Sequence, residues 1–380
     1  MSIGKGKRFR YSETMHAQPT IKDLYEAAKA YDEANLPEVF SESDLICVIG
    51  QSGQPYYVSI VSNAFAAYKG EAGLTGYLAL AFSDDDDPTY EAMELDLAQE
   101  CLLAIFAEDS SELETEDLKA LTASGVSFSG PVPQFRFKKQ YHYPWYIEES
   151  DRADLTLIME ALVYAKEYFA RYNKTKQSDS LIKWLDELGL EESDKKEYVP
   201  CFERNGKGFS VTARVLQDES YGFIFPQAFF TNEERQLHFK RMKAQPGKIL
   251  YYITGILPNP LMGTLDTRPV YPTFALAYDP QTDQILNLSM VEDYESEHPK
   301  FVGELLALFE ERGKVQAIHC YGKRTLPLLE KIGPQMGVMV VDGVSNERVD
   351  QLVFEMFAEL FEPHEHEHGP HCDHDHDHDH

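Results

Sequence analysis

Apolar positions recur along the first half of the chain with two different periods. Thr20 and Asp23 stand three residues apart behind Pro19, the spacing of a helix capping box, and a helical pattern runs from there to about Asn35. Residues 45–49 and 56–61 are short apolar runs on either side of a Gly-containing turn and predict two strands. Residues 91–106 read as a helix. The clearest helical stripe lies in 154–172, where Leu155, Ile158, Met159, Leu162, Val163 and Phe169 share one face. Residues 135–147 (FRFKKQYHYPWYI) read as an aromatic strand ended by Pro144; the interleaved cations also fit a surface that stacks single-stranded bases. Residues 174–196 are polar and charged, with one short amphipathic helix around 181–188, and form the candidate linker.

The second half is more regular. Residues 209–216 alternate like a strand, and 249–256 (ILYYITGI) are strongly β-prone. Residues 271–278 and 285–291 predict two further strands joined by the turn Asp279-Pro280-Gln281-Thr282-Asp283. A helix over 299–312 stops at Gly313 and is followed by a strand at 315–321. A short helix then runs from Thr325 to Gly333, with Pro327 in its first turn. Residues 337–342 read as a buried strand. Asn346 caps a last helix, with Val349, Leu352, Val353, Met356, Phe357 and Leu360 at helical spacing. Three antiparallel strands followed by αβαβα is an element order that resembles a ribonuclease-H-like domain. The expected fold is therefore α+β. It comprises a mainly helical N-terminal domain with a small sheet over 1–195, an α/β ribonuclease-H-like, degenerate domain over 200–361, and a disordered tail over 362–380.

Composition narrows the function classes. Of 380 residues, 43% are hydrophobic and 26% charged, the proportions of a folded globular protein. The net charge of −29 argues against a protein that coats nucleic acid or adheres to anionic lipid. The basic start MSIGKGKRFRYSETM has no apolar stretch behind it, so no secretory signal is expected, and no apolar run is long enough to span a bilayer. Cys47, Cys101, Cys201, Cys320 and Cys372 are odd in number and scattered. Reduced thiols in a cytoplasmic setting are the expectation, with the first four as small core residues.

Searches for catalytic motifs find little. The ribonuclease-H-like resemblance implies an Asp within the first strand, a Glu on the first helix and an Asp ending the fourth strand, together holding two divalent metals. Here the first strand of that order, 249–256, contains no acid, and the fourth carries His319 and Cys320, which alternate to opposite faces. Asp279 and Asp283 fall in the hairpin turn, Glu304 on the helix and Asp342 at the end of the last strand; as read, these do not make a two-metal site. No P-loop, dinucleotide fingerprint, nucleophile elbow, H-E-x-x-H or C-x-x-C occurs. Gly4-Lys5-Gly6 and Gly206-Lys207-Gly208 are too short to cradle a dinucleotide. The run of four Asp at 84–87 reads as a solvated loop, and the basic stretch 231–248 as a solvated helix face. No catalytic or cofactor-binding residue is assigned.

The last 17 residues change character. Positions 364–380 hold His364, His366, His368, His371, His374, His376, His378 and His380, together with Cys372 and six acids. No large apolar residue is present, so the segment cannot bury enough surface to fold alone. Imidazole and thiolate are the preferred ligands of Zn²⁺ and Ni²⁺. In 368–374 a Gly-Pro turn can bring His368 back towards His371, with Cys372 and His374 completing four N/S donors. In the alternating run 374–380 every His falls on one face of an extended chain. The Asp residues between them accept from the imidazole N–H groups and raise ligand basicity. Exchangeable sites for a divalent transition metal are the expected outcome. An uninterrupted polyhistidine tag would lack the interleaved Glu, Asp, Gly-Pro and Cys.

Across its body the chain resembles an uncharacterised two-domain family of bacterial cytosolic proteins. The resemblance rests on DLICV, YYVSIV, LAQECLLAIF and YHYPWYI in the first part, and on RPVYPTFALAYDPQTDQIL in the second. These are core and turn patterns, so it implies architecture and no site. The terminus HEHEHGPHCDHDHDHDH resembles the His-rich tails of bacterial nickel and zinc chaperones. Together these readings point to a metal-binding protein that buffers or delivers Zn²⁺ or Ni²⁺ through its tail, while a non-catalytic body recognises a protein partner. The alternative is an interaction module with a degenerate nuclease-like fold and a peripheral tail.

Overall fold

The computed structural model describes residues 18–41, 44–81, 90–170, 172, 178–189, 198–216, 224–261, 268–344 and 346–361, without the side chains of 79, 90–92, 178–182 and 356–361. The chain forms two compact units. The first comprises Met1–Asp87, Leu95–Gln140 and Pro144–Gly222; the second comprises Pro88–Glu94, Tyr141–Tyr143 and Phe223–His380.

In the first unit, helix α1 (Ile21–Ala34) starts at the expected capping box. The Thr20 hydroxyl accepts from the Asp23 amide at 3.2 Å, and the Asp23 carboxylate accepts from the Thr20 amide at 2.7 Å. Asn35, in the left-handed region, ends it. Strands β1 (Leu45–Ile49), β2 (Pro55–Val61) and β3 (Ala64–Lys69) run antiparallel, and α2 (Gly70–Ala81) follows. After α3 (Tyr90–Leu97), whose residues up to Glu94 belong to the second unit, come β4 (Cys101–Ala107), α4 (Thr115–Ser124), β5 (Val132–Lys138) and the short β6 (Trp145–Tyr146). Helices α5 (Glu149–Ala170) and α6 (Ser178–Glu187) lead to β7 (Tyr198–Asn205) and β8 (Gly208–Val215). The strands make one sheet in the order β6-β5-β4-β3-β2-β1-β7-β8, with β7 parallel to β1.

Both faces of this sheet are covered, which is why its central strands are continuously apolar. Ile46, Val48, Tyr56, Val58, Leu102 and Phe202 pack on one face with Tyr25 of α1 and Leu155, Ile158, Met159, Leu162 and Phe169 of α5. Leu45, Cys47, Tyr57, Tyr68, Cys101 and Cys201 pack on the other with Leu74 and Leu78 of α2. Three expectations change. The small sheet is an eight-stranded one. The helix expected over 91–106 stops at Leu97, and CLLAIFA is a strand between β3 and β5. A seven-residue apolar run has no period that separates a buried strand from a helix segment, and pairing on both sides decides it. The strand expected over 209–216 pairs within the first unit's sheet, because β7 adds to the edge offered by β1. Of the candidate linker, α6 lies among the described residues, with Trp184 and Leu185 in the first unit's core. The run 84–87 lies outside them.

The second unit contains α7 (Glu233–Arg241), β9 (Ile249–Ile256), β10 (Thr273–Asp279) and β11 (Gln284–Val291). Then come α8 (Tyr294–Arg312), β12 (Ala317–Tyr321), α9 (Thr325–Leu329), α10 (Ile332–Met336), β13 (Met339–Val341) and α11 (Glu347–Phe361). Its sheet order is β11-β10-β9-β12-β13, with β10 antiparallel to β9 and β11, and β12 parallel to β9 and β13. Leu250, Tyr252, Ala275, Ala277, Ile318 and Cys320 face α8, α9 and α10. Tyr251, Ile253, Phe274, Leu276 and Tyr278 face Val349 and Leu352 of α11. The side chains of Met356, Phe357 and Leu360 lie outside the described part. Among the described residues no helix is long and apolar enough to cross a membrane.

Candidate functional site

The candidate metal ligands His364, His366, His368, His371, Cys372, His374, His376, His378 and His380 all lie outside the described residues. The body can be examined directly. Among the described residues no group of three or more His, Cys, Asp or Glu side chains is placed to hold a metal ion, so Asp279, Glu304 and Asp342 are not gathered. Each has its own structural setting. Asp279, 3% exposed, accepts from the Gln281 amide at 3.0 Å and lies 3.7 Å from the Lys248 amine. Glu304 on α8 accepts from the Asn287 amide group on β11 at 2.9 Å. Asp342 is exposed at the end of β13.

Among the β9 positions on the α8 side, Tyr252 and Thr254 carry hydroxyls. The Tyr252 hydroxyl donates to the Phe301 carbonyl at 3.1 Å, and burial raises its phenol well above the usual range. The Thr254 and Thr325 hydroxyls bond at 2.7 Å across the ends of β9 and α9. The turn at Gly322, after β12, lets the chain pass this close to β9 before α9 begins. Its φ is +89°, and a Cβ there would sit 2.0 Å from the Thr254 carbonyl oxygen. Hydroxyls therefore meet where β9 ends and α9 begins.

Arg324, just beyond that turn, is the largest fully buried side chain of the described residues. Its guanidinium donates to Glu94 at 2.8 Å; the two side chains are 2% and 7% exposed. The rings of Phe225, Tyr141 and Tyr294 lie 4.9, 5.1 and 5.9 Å from it. A buried cation needs both a carboxylate and polarisable walls, and here it has them. Burial pushes the Tyr294 phenol up to about 12, and raises Tyr141 against the opposing pull of Arg324. This cluster holds an ion pair in the interior.

His319 and Cys320 face opposite sides of β12. Cys320 is in the α8-side core and is pushed up to about 12 by burial; His319 meets the Tyr251 ring edge-on at 5.0 Å on the α11 side. Burial lowers the His319 imidazole, and its Nδ1 is enclosed with no hydrogen-bond partner among the described residues.

In the aromatic stretch 135–147, Arg136 and Lys138 are engaged, while Lys139 is exposed. Arg136 makes a bidentate pair with Asp117 at 2.7 and 2.8 Å and lies under the Tyr146 ring at 4.6 Å. Lys138 bonds Asp96 at 2.8 Å. Both cations are buried, and Phe135 is core. A base-stacking surface needs exposed cations beside exposed rings; Arg136 and Lys138 instead serve β5, and Lys139 and Tyr143 are the exposed cation and ring of the stretch.

Sequence reasoning missed three constellations: Arg324 with Glu94, Cys47 with Cys201, and Lys314. The Lys314 amine, 2% exposed, donates at 2.8 Å to the carbonyls of Phe239 and Met336, near the ends of α7 and α10. Each joins residues far apart in the chain, and no local spacing announces them.

With this geometry in hand, comparison with known families is informative. Residues 22–203 match the family model described as Domain of unknown function (DUF7309), and residues 238–357 match Domain of unknown function (DUF6930). The two matches support a two-domain family of uncharacterised function. No curated protein matches the chain. The boundary between the matched regions falls near the division between the units: the first match runs into β7, and the second begins within α7.

Proposed function

We propose that the chain binds, buffers or delivers Zn²⁺ or Ni²⁺ through His364–His380 and Cys372, and that its body recognises a protein partner in the cytoplasm. One observation carries this reading: eight imidazoles and one thiol lie within 17 residues of acidic chain, a donor set matched to borderline cations. The metal is cargo in this reading. The body's acids at 279, 304 and 342 stand apart, and the buried cations Arg324, Lys314, Lys138 and Arg136 are held by internal partners. The test is titration calorimetry of Zn²⁺ and Ni²⁺ into the full chain and into a chain ending at Pro363. We expect the full chain to take up at least one more ion than the shortened one. Equal stoichiometry overturns the reading.

A second reading has its own observation. The sheet order of the second unit, with three antiparallel strands followed by two parallel ones, is what a ribonuclease-H-like domain requires. With Tyr252 and Thr254 in place of acids on β9, such a domain would be degenerate and serve as an interaction module. Affinity capture with the full chain, the shortened chain and chelator distinguishes the two. Partners that ignore both truncation and chelation favour the module.

A further inference from the structure

One row of paired residues crosses the first unit's sheet. Thr212 on β8 pairs with Cys201, Cys201 with Cys47, Cys47 with Tyr57, Tyr57 with Tyr68, and Tyr68 with Cys101. Partners in register project to the same face, and these cysteines and tyrosines all pack in the core under α2. Within the row, two thiols meet at one place. Cys47 Sγ and Cys201 Sγ are 3.3 Å apart and share a hydrogen bond.

Neighbouring strands lie about 4.8 Å apart, within the Cα span of about 4.4–6.8 Å that a disulfide bridges. The sulfurs need to close by about 1.3 Å to reach a disulfide bond length, a displacement that small side-chain rotations supply. The surroundings also distinguish the two sulfurs. Cys47 is fully buried, and Cys201 is 6% exposed. Arg214 on the edge strand β8 donates through Nε to the Tyr57 hydroxyl at 3.0 Å, and its charge acts on both thiols. The Cys201 thiol lies below its ordinary value, first through the hydrogen bond it shares with Cys47 and then through Arg214, against the opposing effect of burial. Cys47 is raised, by the same hydrogen bond and by burial. An isolated buried cysteine is inert. This pair has what isolated ones lack: a second sulfur in contact and a cation beside it.

We propose that Cys47 and Cys201 form a reversible dithiol–disulfide couple oxidised by a small hydroperoxide, with Cys201 as the attacking sulfur and Cys47 as the resolving one. The Cys201 thiolate attacks the terminal peroxide oxygen and the O–O bond breaks. The leaving oxygen takes the proton that Cys201 released, departing as an alcohol, or as water when the oxidant is hydrogen peroxide. Cys201 is then a sulfenic acid. The Cys47 sulfur attacks the Cys201 sulfur, the S–S bond forms, the S–O bond breaks, and hydroxide leaves with the Cys47 proton as water. Two electrons pass from the sulfurs to one peroxide. Cys101, pushed up to about 12 by burial, has no second sulfur opposite it and stays a thiol. This inference is independent of the tail.

The test uses full-length protein carrying Cys372→Ser, so that the tail thiol forms no mixed disulfide. The protein is exposed to a few equivalents of hydrogen peroxide, denatured, alkylated with a maleimide and digested for mass spectrometry. We expect a Cys47–Cys201 cross-linked peptide that dithiothreitol reverses, Cys101 and Cys320 alkylated throughout, and a fall from four titratable thiols to two. Cys47→Ala, if it folds, should leave a Cys201 sulfenic acid that dimedone traps. The proposal is overturned if Cys101 or Cys320 oxidises first. It is also overturned if Cys201 goes to sulfinic acid without cross-linking, or if both thiols survive peroxide that fully oxidises free cysteine under the same conditions.

Discussion

Tyr56 donates its hydroxyl to the Asp154 carboxylate at 2.6 Å, joining β2 to α5 inside the first unit's core. The same carboxylate accepts from the Gln51 amide at 2.8 Å and so also holds the β1–β2 turn. Gly50 stands at that turn because a Cβ there would lie 2.9 Å from the Asp154 carboxylate oxygen. Tyr56→Phe keeps the ring and removes one donor. We expect a loss of about 1–3 kcal/mol, read as a lower urea midpoint with an unchanged slope. No loss of stability would show that the bond contributes nothing net.

The same tyrosine belongs to a group that sets the alkaline limit. Burial raises the phenols of Tyr25, Tyr31, Tyr56, Tyr68 and Tyr252 well above the usual value. In the unfolded chain they ionise near pH 10. The unfolded state then binds fewer protons than the folded one, so stability is complete below about pH 10 and falls as pH rises beyond it. Tyrosinate absorbance near 295 nm should therefore appear together with loss of helical circular dichroism. Smooth ionisation of these tyrosines in a still-folded protein contradicts the expectation.

Removing Glu94 leaves the Arg324 cation in an aromatic enclosure without its carboxylate. Breaking a buried pair in this way costs about 3–5 kcal/mol, whereas replacing both partners by apolar groups is often close to neutral. Glu94→Leu should destabilise strongly, and Glu94→Leu with Arg324→Met should recover most of the loss. A double variant as unstable as the single one would show that Arg324 is held mainly by other groups.

Gly322 makes a very close backbone approach to β9: a Cβ there would sit 2.0 Å from the Thr254 carbonyl oxygen. Gly322→Ala places a methyl against the Thr254 carbonyl in a conformation that L residues rarely adopt. The expected cost is about 3 kcal/mol or more. It should be seen as increased hydrogen exchange in β9 and β12 before any change in the first unit.

Zinc uptake by the tail should fall with acidity. Each imidazole of ordinary pKa near 6.5 goes from about nine-tenths neutral at pH 7.5 to about one-tenth at pH 5.5. Every histidine ligand needed therefore weakens binding about tenfold over that interval. Calorimetry at the two values checks this, and equal affinity at both would exclude imidazole as the ligand.

Several elements were readable from local pattern. The Thr20–Asp23 box and the stripe Leu155, Ile158, Met159, Leu162 repeat at short range, and the structure places a helix on each. The three strands of the second unit were bounded by turn residues and lie close to where the pattern put them. The CLLAIFA run was misread because seven apolar residues carry no period, and the strand at 209–216 was placed with the second half because strand partners are not encoded next to the strand.

The amino-acid order alone determined the donor-rich terminus, the acidic charge, the positions of most helices and the absence of recognised catalytic spacings, since all of these are properties of neighbouring residues. Only the tertiary structure decided that Cys47 meets Cys201, that Arg324 finds Glu94 and that Lys314 binds the carbonyls of Phe239 and Met336. Those contacts join residues 154, 230, 75 and 22 positions apart. They arise because a cation or polar group excluded from water must take whatever partner the folded chain brings to it.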